Sequence, residues 1–103
     1  MPSIHSDAAR LLGDRVREAR RERGLTLEDL GALAEIHWTN VGKIERAQIH
    51  PNVETLVRLA TALDMDPGDL VRGMTADLYP GRSHRLTAAD LIAERRRLGG
   101  ADA

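Results

Sequence analysis

The sequence has no cysteine and no phenylalanine, and only one tryptophan and one tyrosine among its 103 residues. Without cysteine, disulfide frameworks and thiolate metal sites are excluded, and a reducing, cytoplasmic environment is favoured. The chain also lacks the run of about 18 apolar residues that a membrane-spanning helix needs. Its first ten residues contain no apolar stretch typical of a signal peptide. We therefore expect a cytoplasmic protein with no membrane contact.

Strong charge of one sign is absent as well. The formal net charge is -1 and the isoelectric point is near 6.4. These values neither indicate nor exclude a polyanionic partner, because binding depends on where the charges lie. Lys43 is the only lysine among 15 basic residues, a bias that a GC-rich coding sequence also produces.

Signals of catalysis and of metal binding are missing. The four histidines have no spacing typical of metal ligands. The sequence contains no nucleophile–base pair, no phosphate-binding glycine loop and no paired carboxylates at a useful spacing. We expect a protein that is not an enzyme and needs no cofactor and no metal.

Helical periodicity dominates what is present. Alternating strand patterns are nearly absent, whereas apolar residues recur at i, i+3 and i+4, which predicts an all-α fold. Capping residues and glycines predict helix ends, for example Thr26 with Asp29 as a capping box and Gly24 as a stop. Five helices are predicted to begin near Asp7, Thr26, His37, Asn52 and Asp66. Their inward residues are predicted to be Leu12, Val16, Ala19, Leu30, Leu33, Ala34, Leu56, Leu59, Ala60 and Leu63.

The chain divides into three predicted parts. Residues 1–9 form an N-terminal arm or the start of the first helix, and residues 10–74 form the helical domain. Residues 75–103 combine a linker with a C-terminal helix over about 88–98, which Gly99 and Gly100 end. That last helix carries a narrow apolar stripe of Leu91, Ile92 and Leu98.

The second and third helices are separated by about three residues, so they must cross at a steep angle. The stretches LGDRVREARRERGLTLEDLGALAEIHWTNVGKIERA and PNVETLVRLATALDMDPGDL resemble the lambda repressor and Cro-like helix-turn-helix domains, also called the xenobiotic-response-element type. The resemblance covers about 12–72, with the motif at about 27–46. It rests on the IER triplet and on the apolar positions Leu30, Ala34, Ile36, Val41 and Ile44. It implies a five-helix DNA-binding domain with a short C-terminal helical tail.

The sequence departs from this family at five positions. Members usually carry Ala at the position of Gly31, Gly at those of Glu35 and Ala47, and Ser or Thr at that of His37. Many members have Gln at the position of Leu27. If Glu35 adopts the left-handed conformation, the strain is about 1 kcal/mol, which a packed domain tolerates. The departures therefore affect the turn geometry and leave the fold unchanged.

The faces of the third helix follow from its rotation of about 100° per residue. The core side is predicted to hold His37, Val41 and Ile44, and the exposed side Thr39, Gly42, Lys43 and Arg46, with Trp38 and Asn40 at the borders. The resemblance implies that the exposed side enters the DNA major groove and that Trp38, Thr39 and Lys43 contact bases. Alternatively, Trp38 packs over Leu27, or these two form a protein-binding patch.

Two anchors to the DNA backbone are predicted. The amides at Thr26 and Leu27, at the start of the second helix, form one. The other is the loop after the third helix, with Arg46, Gln48, His50 and Asn52, where a protonated His50 would bind phosphate more strongly. The resemblance also implies a structural ion pair between Arg20 and Glu45.

The function implied by the resemblance is sequence-specific binding of double-stranded DNA by a transcriptional regulator. Its simplest form is a repressor that acts as a homodimer on a pseudo-palindromic operator, with half-sites about 34 Å apart. The dimer surface is expected either on the fifth helix, at Leu70, Val71 and Met74, or on the C-terminal helix. Alternatively, the C-terminal helix packs on its own domain or stays disordered. The alternative is a protein-interaction module, or an antitoxin-type partner protein, that retains the fold.

Overall fold

The computed structural model describes residues 4–81 and 87–99, and within these ranges all regular structure is helical. The predicted all-α fold class is confirmed. The helices are α1 (Asp7–Glu22), α2 (Leu27–Ala34), α3 (Trp38–Glu45), α4 (Val53–Ala62), α5 (Pro67–Val71), a 3-10 turn (Ala76–Leu78) and α6 (Ala88–Gly99). The start of the predicted arm, part of the predicted linker and the predicted stop at Gly100 lie outside the described residues.

Side-chain caps fix where the helices begin. Ser6 precedes α1, and its hydroxyl accepts a hydrogen bond from the Ala9 amide at 3.0 Å. Asn52 does the same for α4 through the Thr55 amide at 2.8 Å. Such caps satisfy amides that have no partner within the helix, each contributing about 1 kcal/mol. The 3-10 turn was not predicted, and Gly99 is the last residue of α6, one residue beyond the predicted range of about 88–98.

One core joins the first five helices. Its buried members are Leu12, Val16, Ala19, Leu30, Ala34, Val41, Ile44, Leu59, Ala60, Leu63 and Leu70. The prediction that Leu33 points inward is wrong, because its side chain is 58% exposed. In the short α2 the buried face consists of Leu30, Gly31 and Ala34, which leaves Leu33 on the solvent side.

Three connections use the left-handed backbone without glycine, and the one after α4 does so at Asp64 with φ 58°. Glu35 ends α2 with φ 58° and ψ 41°, as expected for a residue standing where the family usually has Gly. Ala47, after α3, has φ 61°. Each such residue costs about 1 kcal/mol relative to glycine, and the surrounding packing offsets this strain.

Gly13 sets the distance between α1 and the end of α3. A Cβ atom at this position would lie 2.5 Å from the Ile44 carbonyl oxygen and 2.6 Å from that of Glu45. Any larger residue would collide with backbone, which cannot turn aside as a flexible side chain can. The missing side chain of Gly13 therefore allows α1 to support α3 directly.

No helix within residues 4–81 and 87–99 is long and apolar enough to cross a membrane.

Candidate nucleic-acid interface

The α2–turn–α3 unit presents α3 at the surface of the domain. The two helices meet at Gly31, where a Cβ atom would lie 2.8 Å from the Ile36 carbonyl oxygen and 3.0 Å from the Trp38 amide nitrogen. The inner side of α3 buries Val41 and Ile44 completely or nearly so. Its opposite side is therefore available to a ligand.

That outer side carries the basic residues of the helix end. Lys43 and Arg46 are both exposed, as predicted. Gly42, predicted to be exposed, is buried because the Arg46 side chain folds back over it, with Arg46 Nη1 2.8 Å from the position of a Gly42 Cβ. Thr39, also predicted to be exposed, is half-buried. The exposed surface is consequently narrower than the helical rotation predicts.

His37 begins α3 and does not face the core, so its predicted core position is wrong. Its backbone is extended, with φ -66° and ψ 136°, and it therefore stands outside the helical rotation used for the prediction. The side chain is exposed, and its Nδ1 accepts a hydrogen bond from the Thr39 amide at 3.2 Å. The Thr39 hydroxyl lies 2.7 Å from the same nitrogen. His37 is thus a helix cap in the place of the usual Ser or Thr.

Trp38 lies in the first turn of α3 with 44% of its surface exposed. Its indole stacks on the His37 ring at a centroid distance of 5.8 Å and an interplanar angle of 26°. Leu27 packs against the hydrophobic core and is only partly exposed. An indole so placed offers a flat surface and one N–H donor.

The start of α2 is closed by its own capping box. The Asp29 amide donates to the Thr26 hydroxyl at 3.0 Å, and the Thr26 amide donates to the Asp29 carboxylate at 2.9 Å. These hydrogen bonds, first that from the Thr26 backbone, lower the pKa of Asp29. The amides of Leu27 and Glu28, at the first two helical positions, have no partner within the helix.

His50, in the loop before α4, is turned toward the N-terminal segment. Its Nε2 lies 2.7 Å from the hydroxyl of Ser6, and its ring meets those of His5 and Tyr79 edge-on at 4.1 and 5.5 Å. Partial burial, and next the charge of His5, lower the pKa of His50 below its usual value. The neutral ring is therefore favoured near pH 7, which weakens the expected contact between a cationic His50 and phosphate.

The rest of that loop is shaped by backbone contacts. The Gln48 amide donates to the Lys43 carbonyl at 2.9 Å, which closes the turn after α3. Gln48 is half-buried, whereas Asn52 is exposed and uses its side-chain oxygen to cap α4. Of the residues in this loop that were predicted to contact the DNA backbone, Arg46 is the one with a positive charge at the surface.

Glu45 is the buried acid behind this surface, with only 5% of its surface exposed. Arg20 donates from Nε to one carboxylate oxygen at 2.7 Å and from Nη2 to the other at 2.9 Å. The hydrogen bond with Glu45 raises the pKa of Arg20. Arg20 also donates to the Leu25 carbonyl at 2.9 Å. The pair therefore connects α1, the end of α3 and the loop that leads into α2.

Three further residues shape the site without having been identified from the sequence. Arg17 donates to the Glu45 carboxylate at 3.4 Å and to its carbonyl oxygen at 3.2 Å. Ser6 was recognisable as a serine placed just before a helix. Arg17 and Gly13 act through contacts with α3, which lies about 30 residues away along the chain. No local signal marks them.

The described residues contain no group of three or more His, Cys, Asp or Glu side chains that could hold a metal ion.

Comparison with known proteins finds a matching family and a relative of this chain. Residues 11–72 match a family described as a helix-turn-helix domain. The chain is 38% identical over 89 residues to the HTH-type transcriptional regulator DdrOP3 of Deinococcus deserti, a match that covers 81% of this chain and 65% of that protein. The chain therefore spans slightly less than two thirds of that relative.

Two solved structures share the architecture. The restriction-modification controller protein C.AhdI from Aeromonas hydrophila superposes with a TM-score of 0.59 and 37% identity, over 60% of this chain and 94% of that one. The P22 c2 repressor, solved in complex with a synthetic operator, superposes with a TM-score of 0.57 and 28% identity, over 61% and 96% of the two chains.

Proposed function

Because this chain belongs to the helix-turn-helix family of DNA-binding transcriptional regulators, we propose that it is a repressor that binds a pseudo-palindromic operator as a homodimer. The observation that carries this proposal is the outer side of α3, where Lys43 and Arg46 stand exposed opposite the buried Val41 and Ile44. A transcriptional regulator acts on the chromosome, which in bacteria lies in the cytoplasm. We therefore propose that this protein is located in the bacterial cytoplasm.

Base recognition is assigned to three residues of α3. Lys43 is exposed and can donate to guanine O6 or N7 in the major groove. Trp38 can present its half-exposed indole to a thymine methyl group, and its N–H to an acceptor. Thr39 is the weakest candidate, since it is half-buried and its hydroxyl lies 2.7 Å from the His37 ring nitrogen.

Phosphate contacts are assigned to both ends of the α2–turn–α3 unit. At the start of α2 the amide of Leu27 is better placed than that of Thr26, whose hydrogen goes to Asp29. Beyond α3, Arg46 supplies the positive charge, and the exposed Asn52 and half-buried Gln48 flank it. His50 would act as a neutral hydrogen-bonding partner.

Dimerisation follows from how little DNA one recognition helix covers. A single α3 reads only a few base pairs, and specificity for one site in a genome requires two half-sites about one helical turn apart. The P22 c2 repressor, which shares the fold, was solved bound to operator DNA. Occlusion of a promoter by such a dimer is the simplest mode of repression.

A second candidate function is a protein-interaction module or an antitoxin-type partner protein. The observation in its favour is the exposed apolar surface of α2 and α3, where Leu33 is 58% and Trp38 44% exposed. The absence of a net positive charge also suits this function. It predicts no salt-sensitive binding to DNA.

Substitutions in α3 test the proposal on operator DNA obtained by selection from a random pool. Lys43→Ala is expected to reduce the ratio of affinities for operator and scrambled DNA by tenfold or more, because each of the two protomers loses a base contact worth about 1–3 kcal/mol. Arg46→Ala is expected to weaken both complexes alike and to reduce the log-log salt slope by about 0.9 per protomer. Gel-shift titration over a range of salt concentrations measures both quantities.

Arg72→Ala is the matched control, since Arg72 is an exposed arginine on the C-terminal side of α5, paired with Asp69. Its affinity and salt slope should equal those of the unmodified protein. If Lys43→Ala and Arg46→Ala behave like this control, neither α3 nor its C-cap contacts DNA and the proposal fails.

A further inference from the structure

Among the described residues, α6 is a regular helix whose apolar side chains are exposed. It begins with a full capping box, in which the Thr87 amide donates to Asp90 at 3.0 Å and the Asp90 amide donates to the Thr87 hydroxyl at 3.2 Å. None of its residues is buried, and Leu91, Ile92 and Leu98 are 40%, 51% and 71% exposed. A helix of twelve residues is marginal in water on its own. The formation of α6 with its apolar residues exposed therefore points to a partner that covers the apolar stripe.

The charges of α6 indicate what that partner is. Asp90 and Glu94 lie before the point between residues 94 and 95, and Arg95, Arg96 and Arg97 lie after it. Within one copy, Glu94 pairs with Arg97. A second copy of α6 laid antiparallel places the acidic part of each helix against the basic part of the other. A parallel pair would bring like charges together, which is destabilising.

The apolar stripe has the same symmetry. Leu91 and Leu98 are seven residues apart, two helical turns, and stand equally far from the point between Glu94 and Arg95. A two-fold axis at that point packs Leu91 of each copy against Leu98 of the other. It also sets Glu94 of each copy beside Arg95 of the other. An isologous interface of this kind is closed, so assembly stops at the dimer.

Helix α5 exposes less apolar surface for a dimer interface than the sequence predicted. Leu70 is completely buried in its own domain, and Met74 packs against the same core. Of the three residues predicted for a dimer surface there, only Val71 is exposed, at 38%. The α5 surface is therefore largely used within the protomer.

We propose that α6 is the dimerisation element of this protein and pairs antiparallel with α6 of a second copy. This inference rests on the homodimer of the proposed function and identifies the surface that joins the two copies. The two α6 helices are expected to pair without DNA. The pairing is short, so the dimer is expected to dissociate on dilution. Two α3 helices on one operator would then strengthen it by holding the copies together.

Sedimentation equilibrium of the full chain without DNA tests the surface. Leu91→Asp and Leu98→Asp are each expected to raise the dimer dissociation constant at least tenfold, because each removes apolar area from both halves of the interface. Both positions are exposed in the protomer, so thermal unfolding of the α1–α5 domain should be unchanged. Val57→Asp is the matched control on α4, since Val57 is 42% exposed and Leu91 is 40% exposed.

Cysteine cross-linking tests the orientation, and the cysteine-free sequence makes the readout specific. Arg95→Cys lies beside the proposed axis and should form a disulfide-linked dimer rapidly on mild oxidation. Ala88→Cys should not, because in an antiparallel pair the two copies of residue 88 are about 20 Å apart.

Three results would overturn the inference: a monomeric unmodified chain at high concentration, a dimer weakened by Val57→Asp but not by the α6 variants, or faster cross-linking through Ala88→Cys than through Arg95→Cys. None of them affects the Lys43→Ala comparison on DNA. Failure of the α6 interface is therefore distinguishable from failure of the DNA-binding proposal.

Discussion

Glu45→Gln is expected to lower the free energy of unfolding by about 3 kcal/mol, the largest effect of any single substitution considered for this protein. The change removes a charge but hardly any volume. It leaves the guanidinium of Arg20, whose side chain is 12% exposed, without its counter-ion. Arg17 also loses its carboxylate contact. Urea denaturation, with the slope and midpoint measured together, provides the free energy.

The same substitution at a surface position is the control. Glu54 pairs with Arg58 at 3.5 Å, and the side chain of Glu54 is 75% exposed. Glu54→Gln should change the free energy of unfolding by no more than about 0.5 kcal/mol, because exposed ion pairs contribute little. If the two substitutions cost the same, the Arg20–Glu45 pair does not hold α3 in place.

Gly13→Ala is expected to destabilise the domain by about 2 kcal/mol, although alanine is the better helix former by about 1 kcal/mol. The reason is the contact between α1 and α3. The added Cβ atom would lie 2.5 Å from the Ile44 carbonyl oxygen, so α1 and α3 must separate. A shift of α3 should also weaken DNA binding, and the two losses should appear together. Urea denaturation and gel shift measure them.

Gly42→Ala is the control for Gly13→Ala. It places the same methyl group in a helix, but the atoms nearest to the new Cβ belong to the Arg46 guanidinium, which can swing away. Its stability should stay level or rise by up to about 1 kcal/mol. A Gly13→Ala variant as stable as Gly42→Ala would show that α1 does not press against α3.

Local patterns were sufficient to predict the helices and much of the core. The spacing of Leu56, Leu59, Ala60 and Leu63 predicts the buried side of α4, although Leu56 is only partly buried. The capping box at Thr26 is likewise a short-range feature. Because caps and helical periodicity act within a few residues, they can be recognised without knowledge of the fold.

The remaining details depend on contacts between distant segments. His37 was placed on the core side because helical rotation was applied to a residue whose backbone is still extended. Leu33 follows the apolar spacing of α2, yet the buried face of this helix lies at Leu30, Gly31 and Ala34. The burial of Gly42 depends on the direction taken by the Arg46 side chain. Helical periodicity alone does not determine such tertiary packing.

Selection of bound sequences from a random pool of double-stranded DNA, with the full unmodified chain, tests whether α3 reads DNA. We expect enrichment of a pseudo-palindrome whose half-sites lie about one helical turn apart, with binding that weakens steeply as salt rises. Loss of the enriched sequence in the Lys43→Ala protein would assign part of it to α3. Absence of any enriched sequence, together with no salt-sensitive binding, would contradict the claim that α3 reads DNA.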